Sequence, residues 1–278
     1  MCTEPLQLIP RERWGELKTF AQSYWPRSIT ILPHLETEER LLKEGIEHGF
    51  KVYCPNGNVK HGIVALKVKN NLYEVKILCL HDDTSELEKS LRTTALIDWS
   101  KMMKILFAPK NVVDCVKKII NKKNLKIDRC TKARIYLLDK ASPLFDVSLA
   151  PDLTFELLSL DYVDITNTTW PHKFPGSELY FELLIKAKLG YGLFKAGELV
   201  AWSFIKEMGA LGHLYTLENH RRKGYGELVL KLISNVLLKE KKYVYAYCME
   251  ENTKANNLLE KLGFSNVLNV EWLKLVPC

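Results

Sequence analysis

Six consecutive residues, Arg221-Arg222-Lys223-Gly224-Tyr225-Gly226, restrict their surroundings to one local fold: a strand, a basic glycine turn and a helix. The strand before them is read at Ala210–Leu217. The helix after them starts near Gly224 and places Leu228, Val229, Leu232, Ile233, Val236 and Leu237 on one face. The first helical turn carries the positive end of the helix dipole, so three cations in a row are unfavourable there unless an anion completes the site. Free N–H groups at a helix start, approached closely past glycines, are suited to wrap a pyrophosphate. Taken alone, the turn has a second reading, a glycine-bearing loop whose arginines are simply solvated.

Composition narrows the class. The chain has 278 residues, 47% of them hydrophobic and 26% charged, enough to bury one large or two modest cores. No apolar run approaches the roughly 18 residues of a membrane span, so no membrane partner is expected. Seven scattered cysteines (Cys2, Cys54, Cys79, Cys115, Cys130, Cys248, Cys278) lack a C-x-x-C spacing, which predicts reduced thiols, no structural metal and a cytoplasmic setting. The N-terminal segment lacks an apolar signal core, and its early acidic residues argue against a mitochondrial presequence. Without such a signal the sequon Asn167-Thr168-Thr169 is incidental.

The net charge of +7 includes a run of Lys117, Lys118, Lys122, Lys123, Lys126, Arg129, Lys132 and Arg134. It reads either as the solvated face of a helix with its following loop or as a contact for an anionic surface. The scarcity of aromatics removes a stacking platform, so nucleic acid is not an expected partner. Oligomeric state has no signature in the sequence.

Two halves meet near residues 140–152, around Asp139-Lys140-Ala141-Ser142-Pro143 and Pro151. The expected domains are 1–142 and 150–278. In the first, His61–Lys69 and Tyr73–Leu80 alternate as neighbouring strands joined by an Asn70-Asn71 turn. Val64, Leu66 and Val68 share one face; Tyr73, Val75, Ile77 and Cys79 share a face of the partner. Helices follow at Ser85–Ile97 and Asn111–Asn121, then a closing strand at Ala133–Leu138. This half shows no anion loop and no acid–base pair. The second half opens with a strand at Thr154–Leu160 and helical stretches near Asp161–Trp170 and Ser177–Lys188. Strands follow at Tyr191–Lys195, Leu199–Lys206 and Ala210–Leu217, and Tyr243–Cys248 comes after the long helix. Asn252 caps a last helix that ends at Gly263, and Phe264–Leu275 supplies the final strands.

This order of elements, the basic glycine turn and a second motif, Asn252-Thr253-Lys254-Ala255 running to Lys261-Leu262-Gly263-Phe264, resemble the GNAT acyltransferase superfamily. Within it, Ala201-Trp202-Ser203, Tyr215-Thr216-Leu217, Trp272 and Val276-Pro277 are similar to the glycine N-acyltransferase-like family, as is a preceding domain with little chemistry of its own. Trp25-Pro26 is the one similarity of detail in the first half. The resemblance implies an α/β (α+β) GNAT fold, a mixed and largely antiparallel sheet flanked by helices, preceded by a second, degenerate GNAT-like domain. It implies transfer of an acyl group from coenzyme A to a small amine or amino acid such as glycine. A mitochondrial setting also follows from family resemblance alone.

By the same resemblance, the backbone of Leu214, Tyr215, Thr216 and Leu217 holds pantetheine, while the amides of Arg222, Lys223, Gly224, Tyr225 and Gly226 take the pyrophosphate. Arg221, Arg222 and Lys223 also meet phosphate oxygens, and Asn252, Asn256 or Asn257 reaches the cosubstrate. The expected acid–base positions do not carry the family's groups. Ala210 stands where a glutamate would be the base, and Leu259 where a tyrosine would protonate the thiolate. Local substitutes are Glu207, His213 and Glu218 for the base and Tyr247 or Cys248 for the acid. Strand alternation places His213 opposite to Ala210, and no catalytic residue is assigned. An acyl-CoA-binding or regulatory protein without turnover is the alternative.

Overall fold

The computed structural model describes residues 3–47, 49–69 and 72–278. The expected Asn70-Asn71 turn and Cys2 lie outside these residues. The first half contains β1 (Leu6–Leu8), α1 (Trp14–Gln22), α2 (Leu32–Lys43), β2 (Lys51–Pro55), β3 (Ile63–Lys69), β4 (Leu72–Leu78), α3 (Ser85–Thr93), β5 (Met103–Ala108), α4 (Lys110–Ile120) and β6 (Leu125–Leu138). The second repeats that order: β7 (Leu153–Leu157), α5 (Val163–Thr168), α6 (Glu178–Lys186), β8 (Gly190–Lys195), β9 (Glu198–Ile205), β10 (Leu211–Thr216), α7 (Tyr225–Lys239), β11 (Val244–Met249), α8 (Thr253–Lys261) and β12 (Ser265–Pro277). No described helix is long and apolar enough to cross a membrane.

All the described strands join one sheet in the order β1-β2-β3-β4-β5-β12-β6-β11-β10-β9-β8-β7. Its pairings are antiparallel except β4 with β5 and β10 with β11. The centre is an exchange. β12, last in the second half, pairs with β5 of the first, whereas β6, last in the first half, pairs with β11 of the second. The two exchanged strands pair with each other from Ser265↔Leu137 to Pro277↔Leu125. Packing follows the exchange. Leu273 and Leu275 are fully buried in the first half's core, while Tyr136 and Leu138 lie in the second half's core.

The sheet is sharply bent. Phe107 of β5 and Tyr247 of β11 are separated by β12 and β6, a span of about 14 Å in a flat sheet at the usual strand spacing. Their rings nonetheless stack with centroids 3.7 Å apart. The inner faces of the halves therefore meet, around Ile29, Phe107, Ile135, Met208, Ala210 and Tyr245.

Several expectations need correction. The closing strand of the first half is more than twice as long as expected, Leu125–Leu138 instead of Ala133–Leu138. Lys126, Arg129, Lys132 and Arg134 thus lie on a strand, not on a helix and loop. β12 pairs with that strand from Leu125 to Leu137 and β11 with Ala133–Leu138 only, and its first eight residues lie largely outside the cores, where charge is tolerated. β2 and β5 were not expected, being short and without clear alternation. The helix from Ser85 ends at Thr93. In α7 the deepest stripe is Val229, Leu230, Ile233, Ser234, Leu237 and Leu238, with Leu228, Leu232 and Val236 only half-buried.

The exchange makes a test possible. Shortening the chain after Val270 removes Leu273 and Leu275 from the first half's core without altering that half's sequence. Limited proteolysis is expected to cut within residues 3–120 of the shortened protein and to spare them in the intact one. Leu273→Ala is expected to cost about 2–5 kcal/mol in chemical denaturation.

Candidate functional site

β10 and β11 run parallel but share a single registered pair, Leu211↔Ala246, so they part beyond it. A bulge between Gly212 and Tyr215 displaces β10 from its other neighbour, with His213 at φ +54. The strand then passes through a short 3-10 turn, Glu218–His220, into the basic loop. Arg222 (φ +63) and Gly224 (φ +81) are both left-handed. Gly224 is the N-cap of α7 and offers no side-chain acceptor, which leaves the amides of the first turn directed outward. A Cβ at Gly226 would sit 3.4 Å from Thr216 Oγ1, so glycine keeps the backbone close to the end of β10.

Each expected cosubstrate residue has a definite place. Leu214, Tyr215 and Thr216 lie on β10 where it separates from β11, and Leu217 N donates to Val200 O at 3.0 Å. Arg221 folds back: Nε donates to Thr216 O (3.2 Å), Nη2 to Tyr215 OH (3.3 Å), and the guanidinium lies 5.4 Å from the Tyr215 ring centroid. Lys223 Nζ donates to Asn219 O at 3.0 Å. These two cations thus brace the loop, and Arg222 stays exposed at its tip. Tyr225 lies half-buried against His220. Asn252 accepts from Ala255 N (3.2 Å) as the cap of α8. Asn256 is buried, and its amide donates to the carbonyls of Met249, Glu250 and Asn252. That side chain fastens β11 to α8, while Asn257 is exposed.

The equivalent region of the first half differs in each respect. β4 and β5 share three registered pairs, from Tyr73↔Met103 to Val75↔Ile105. The loop after β4 is His81-Asp82-Asp83-Thr84, without glycine, and Asp83 caps Ser85. An anion would find negative charge there.

Below the bulge lies a polar chain that sequence reading did not assemble. Tyr180 OH of α6 donates to Glu207 Oε2 at 2.7 Å, and His213 Nε2 lies 3.4 Å from the same phenol. Trp170, Phe181 and Phe204 surround the imidazole. Alternation fails at the bulge, so it did not predict where His213 points. Burial, with the field of Lys206, lowers the His213 pKa to about 3. Burial opposes ionisation of Glu207, yet Lys67, Lys206 and the Tyr180 hydroxyl outweigh it and hold the carboxyl below its usual range. With Tyr180 donating to Glu207, Nε2–H of His213 faces the phenol oxygen and Nδ1 is left as the acceptor. Burial raises the Tyr247 phenol and the Cys248 thiol, so both stay protonated at neutral pH. Glu218 is exposed and pairs with Arg221 at 3.4 Å. Ala210 and Leu259 are core residues.

Known proteins share this architecture. A Drosophila protein superimposes with a TM-score of 0.87 over 99% of both chains at 20% identity. A putative acetyltransferase from Pyrococcus horikoshii gives 0.59 over 100% of this chain and 91% of its own at 11% identity. A tandem GNAT protein of clavulanic acid biosynthesis gives 0.56 over 97% of each chain at 12% identity. The chain has the GNAT fold. The profile of FR47-like proteins matches residues 190–273, from β8 into β12, and with these structures supports the GNAT superfamily. No curated protein sequence matches the chain significantly.

Burial of His213 and His34 gives a pH test. Burial and the Lys76 field lower His34 to about 4. A histidine depressed on folding binds its proton more readily when unfolded. Its contribution is therefore full above about pH 6.5 and is lost as pH falls toward the folded value. From pH 7 to pH 5 each histidine is expected to cost about 2 kcal/mol. Urea melts at the two pH values check this, and His213→Phe should remove about half of the difference.

Proposed function

We propose that the protein is an acyl-CoA-dependent N-acyltransferase that acts on a small amine or amino acid such as glycine, most similar to the glycine N-acyltransferase-like proteins. The observation that carries this reading is the parting of β10 from β11 directly before a left-handed, glycine-bearing loop and the uncapped start of α7. This loop fits a pyrophosphate, because outward amides, the helix dipole and Arg222 converge where no side chain intrudes at Gly224. The backbone of Leu214–Leu217 and the amides of 222–226 are the proposed holders. When bound, coenzyme A supplies an acyl group activated as a thioester. We assign residues 1–142 and 150–278 to two GNAT-like repeats, the first of them degenerate, with their last strands exchanged.

The chain's own part in turnover is proton handling and orientation. His213 is neutral at pH 7, and its Nδ1 can accept a hydrogen bond from an acceptor that arrives as the free amine. Tyr180 and Glu207 behind Nε2 hold the ring's tautomer and orientation. For a thiolate leaving group the candidate donor on β11 is Tyr247 or Cys248, which point to opposite faces of the strand. A second reading, an acyl-CoA-binding protein without turnover, draws on Ala210 and Leu259, whose buried side chains offer no acid or base.

Free-thiol release from acetyl-CoA and benzoyl-CoA, measured with a panel of amines and amino acids, separates the two. Turnover is expected only with an acceptor present, and binding without acceptor-dependent thiol would favour the second reading. Gly224→Glu with Gly226→Glu is expected to abolish coenzyme A binding in calorimetry. Retained affinity would falsify the placement of the pyrophosphate. Tyr180→Phe is expected to slow thiol release by roughly 10- to 100-fold while leaving coenzyme A affinity unchanged.

A further inference from the structure

The face of β3 and β4 turned toward α2 and the second half breaks the rule that a buried strand face reads as apolar. Ala65, Lys67, Lys76 and Leu78 share it, opposite to the face carrying Val64, Leu66, Val75 and Ile77. Both lysines are deeply buried, at 6% and 4% exposure. A buried ammonium needs a hydrogen-bond acceptor or an anion beside it. Lys76 has its partners: Nζ donates to Thr30 O at 2.7 Å and lies 2.9 Å from His34 Nδ1. Lys67 has anions near it, Glu207 and its cross-strand neighbour Glu74, but its Nζ is among the buried atoms without a hydrogen-bond partner. It lines a pocket, partly open to solvent and with room for a group of only a few atoms, together with Lys76, His34, Glu74 and Glu207, between β3, β4, β5, α2 and the turn between β9 and β10.

We propose that this cavity binds a small carboxylate, with Lys67 Nζ as its donor. The space is modest, and one ammonium is open to an acceptor. A carboxylate brings a single charge and two acceptor oxygens to meet it. A phosphate group would bring more negative charge against Glu207 and Glu74. Those same two carboxyl groups suit a ligand with a positive end, so the carboxylate belongs either to a free acid or to a zwitterionic amine. Glu207 joins the cavity to Tyr180, and Tyr180 to His213. The first half, without an anion loop of its own, thereby supplies an anion-binding side chain to the face where the second half holds its imidazole. The site does not depend on coenzyme A binding.

Thermal melts of the full chain at constant ionic strength, with sodium formate, glycine or ethylammonium chloride, test the proposal. Formate and glycine are expected to raise Tm, by roughly 5 °C when present at about 100 times Kd, and ethylammonium is not. Lys67→Met keeps the side-chain length without the charge and should lose the response, whereas Lys67→Arg should keep it. A larger shift with glycine than with formate assigns the carboxylate to a zwitterion; equal shifts assign it to a free acid. On the wild-type protein, NMR of isotope-labelled lysine ammonium groups during a formate titration should move one of the two buried lysines, whether or not Lys67→Met folds. No Tm response in the wild type, an unchanged response in Lys67→Met, or unmoved lysine signals would each overturn the site. The Gly224→Glu/Gly226→Glu variant should respond to formate as the wild type does, so failure at one site is distinguishable from failure at the other.

Discussion

The antiparallel pairing of β6 with β12 is the constraint on which the rest of the structure depends. Each strand ends one half of the chain and completes the sheet of the other. A conventional interface between two folded domains is surface against surface, and such interfaces allow relative motion. Here the join is a backbone ladder at the middle of one sheet, with Leu273 and Tyr136 each buried in the opposite half's core. The ladder also sets the bend that brings Phe107 onto Tyr247 and encloses polar groups between the halves.

The two halves share a topology and differ in a few contacts that decide where chemistry is possible. The parallel pair β4 and β5 is held over three positions, from Tyr73 to Val75. A pair held at one position and distorted by a bulge leaves backbone groups of β10 free to accept one. Loop composition agrees with strand geometry in both halves. The first half carries Asp82 and Asp83 after β4, and the second half carries Arg221, Arg222, Lys223 and two glycines after β10. Agreement between independent levels of structure is what a functional assignment can rest on, and neither the glycines nor the parting would suffice singly.

Much of the second half was legible in the sequence because its signals are local. The start of α7 at Gly224, the cap at Asn252 and the left-handed stop at Gly263 each depend on a residue and its near neighbours. The exchange was not legible, since β6 and β12 carry the same alternation whichever sheet receives them. His213 was misplaced because a bulge shifts a period-2 pattern by one residue, and the signal for it, Gly212 inside a strand pattern, stands directly before it. The alternation over β3 and β4 was read correctly for the apolar face. Its polar face was hidden, because Lys67 and Lys76 look like solvated residues until a second half is packed against them.

That packing gives the first half a role without giving it a reaction of its own. Glu207 is ionised in a dry setting because Lys67 and Lys206 supply compensating field, and Lys67 comes from the first half. The anion and the Tyr180 hydroxyl in turn fix which nitrogen of His213 bears the proton. Removing Lys67 would raise the cost of charge on Glu207, and a neutral carboxyl would accept the Tyr180 hydroxyl less strongly. The protonation of the face beside the parted strands is therefore set partly by a side chain on the far wall of the bend. A fold that had merely docked two separate sheets edge to edge would have left Glu207 without the Lys67 field that helps hold its carboxyl below the usual range.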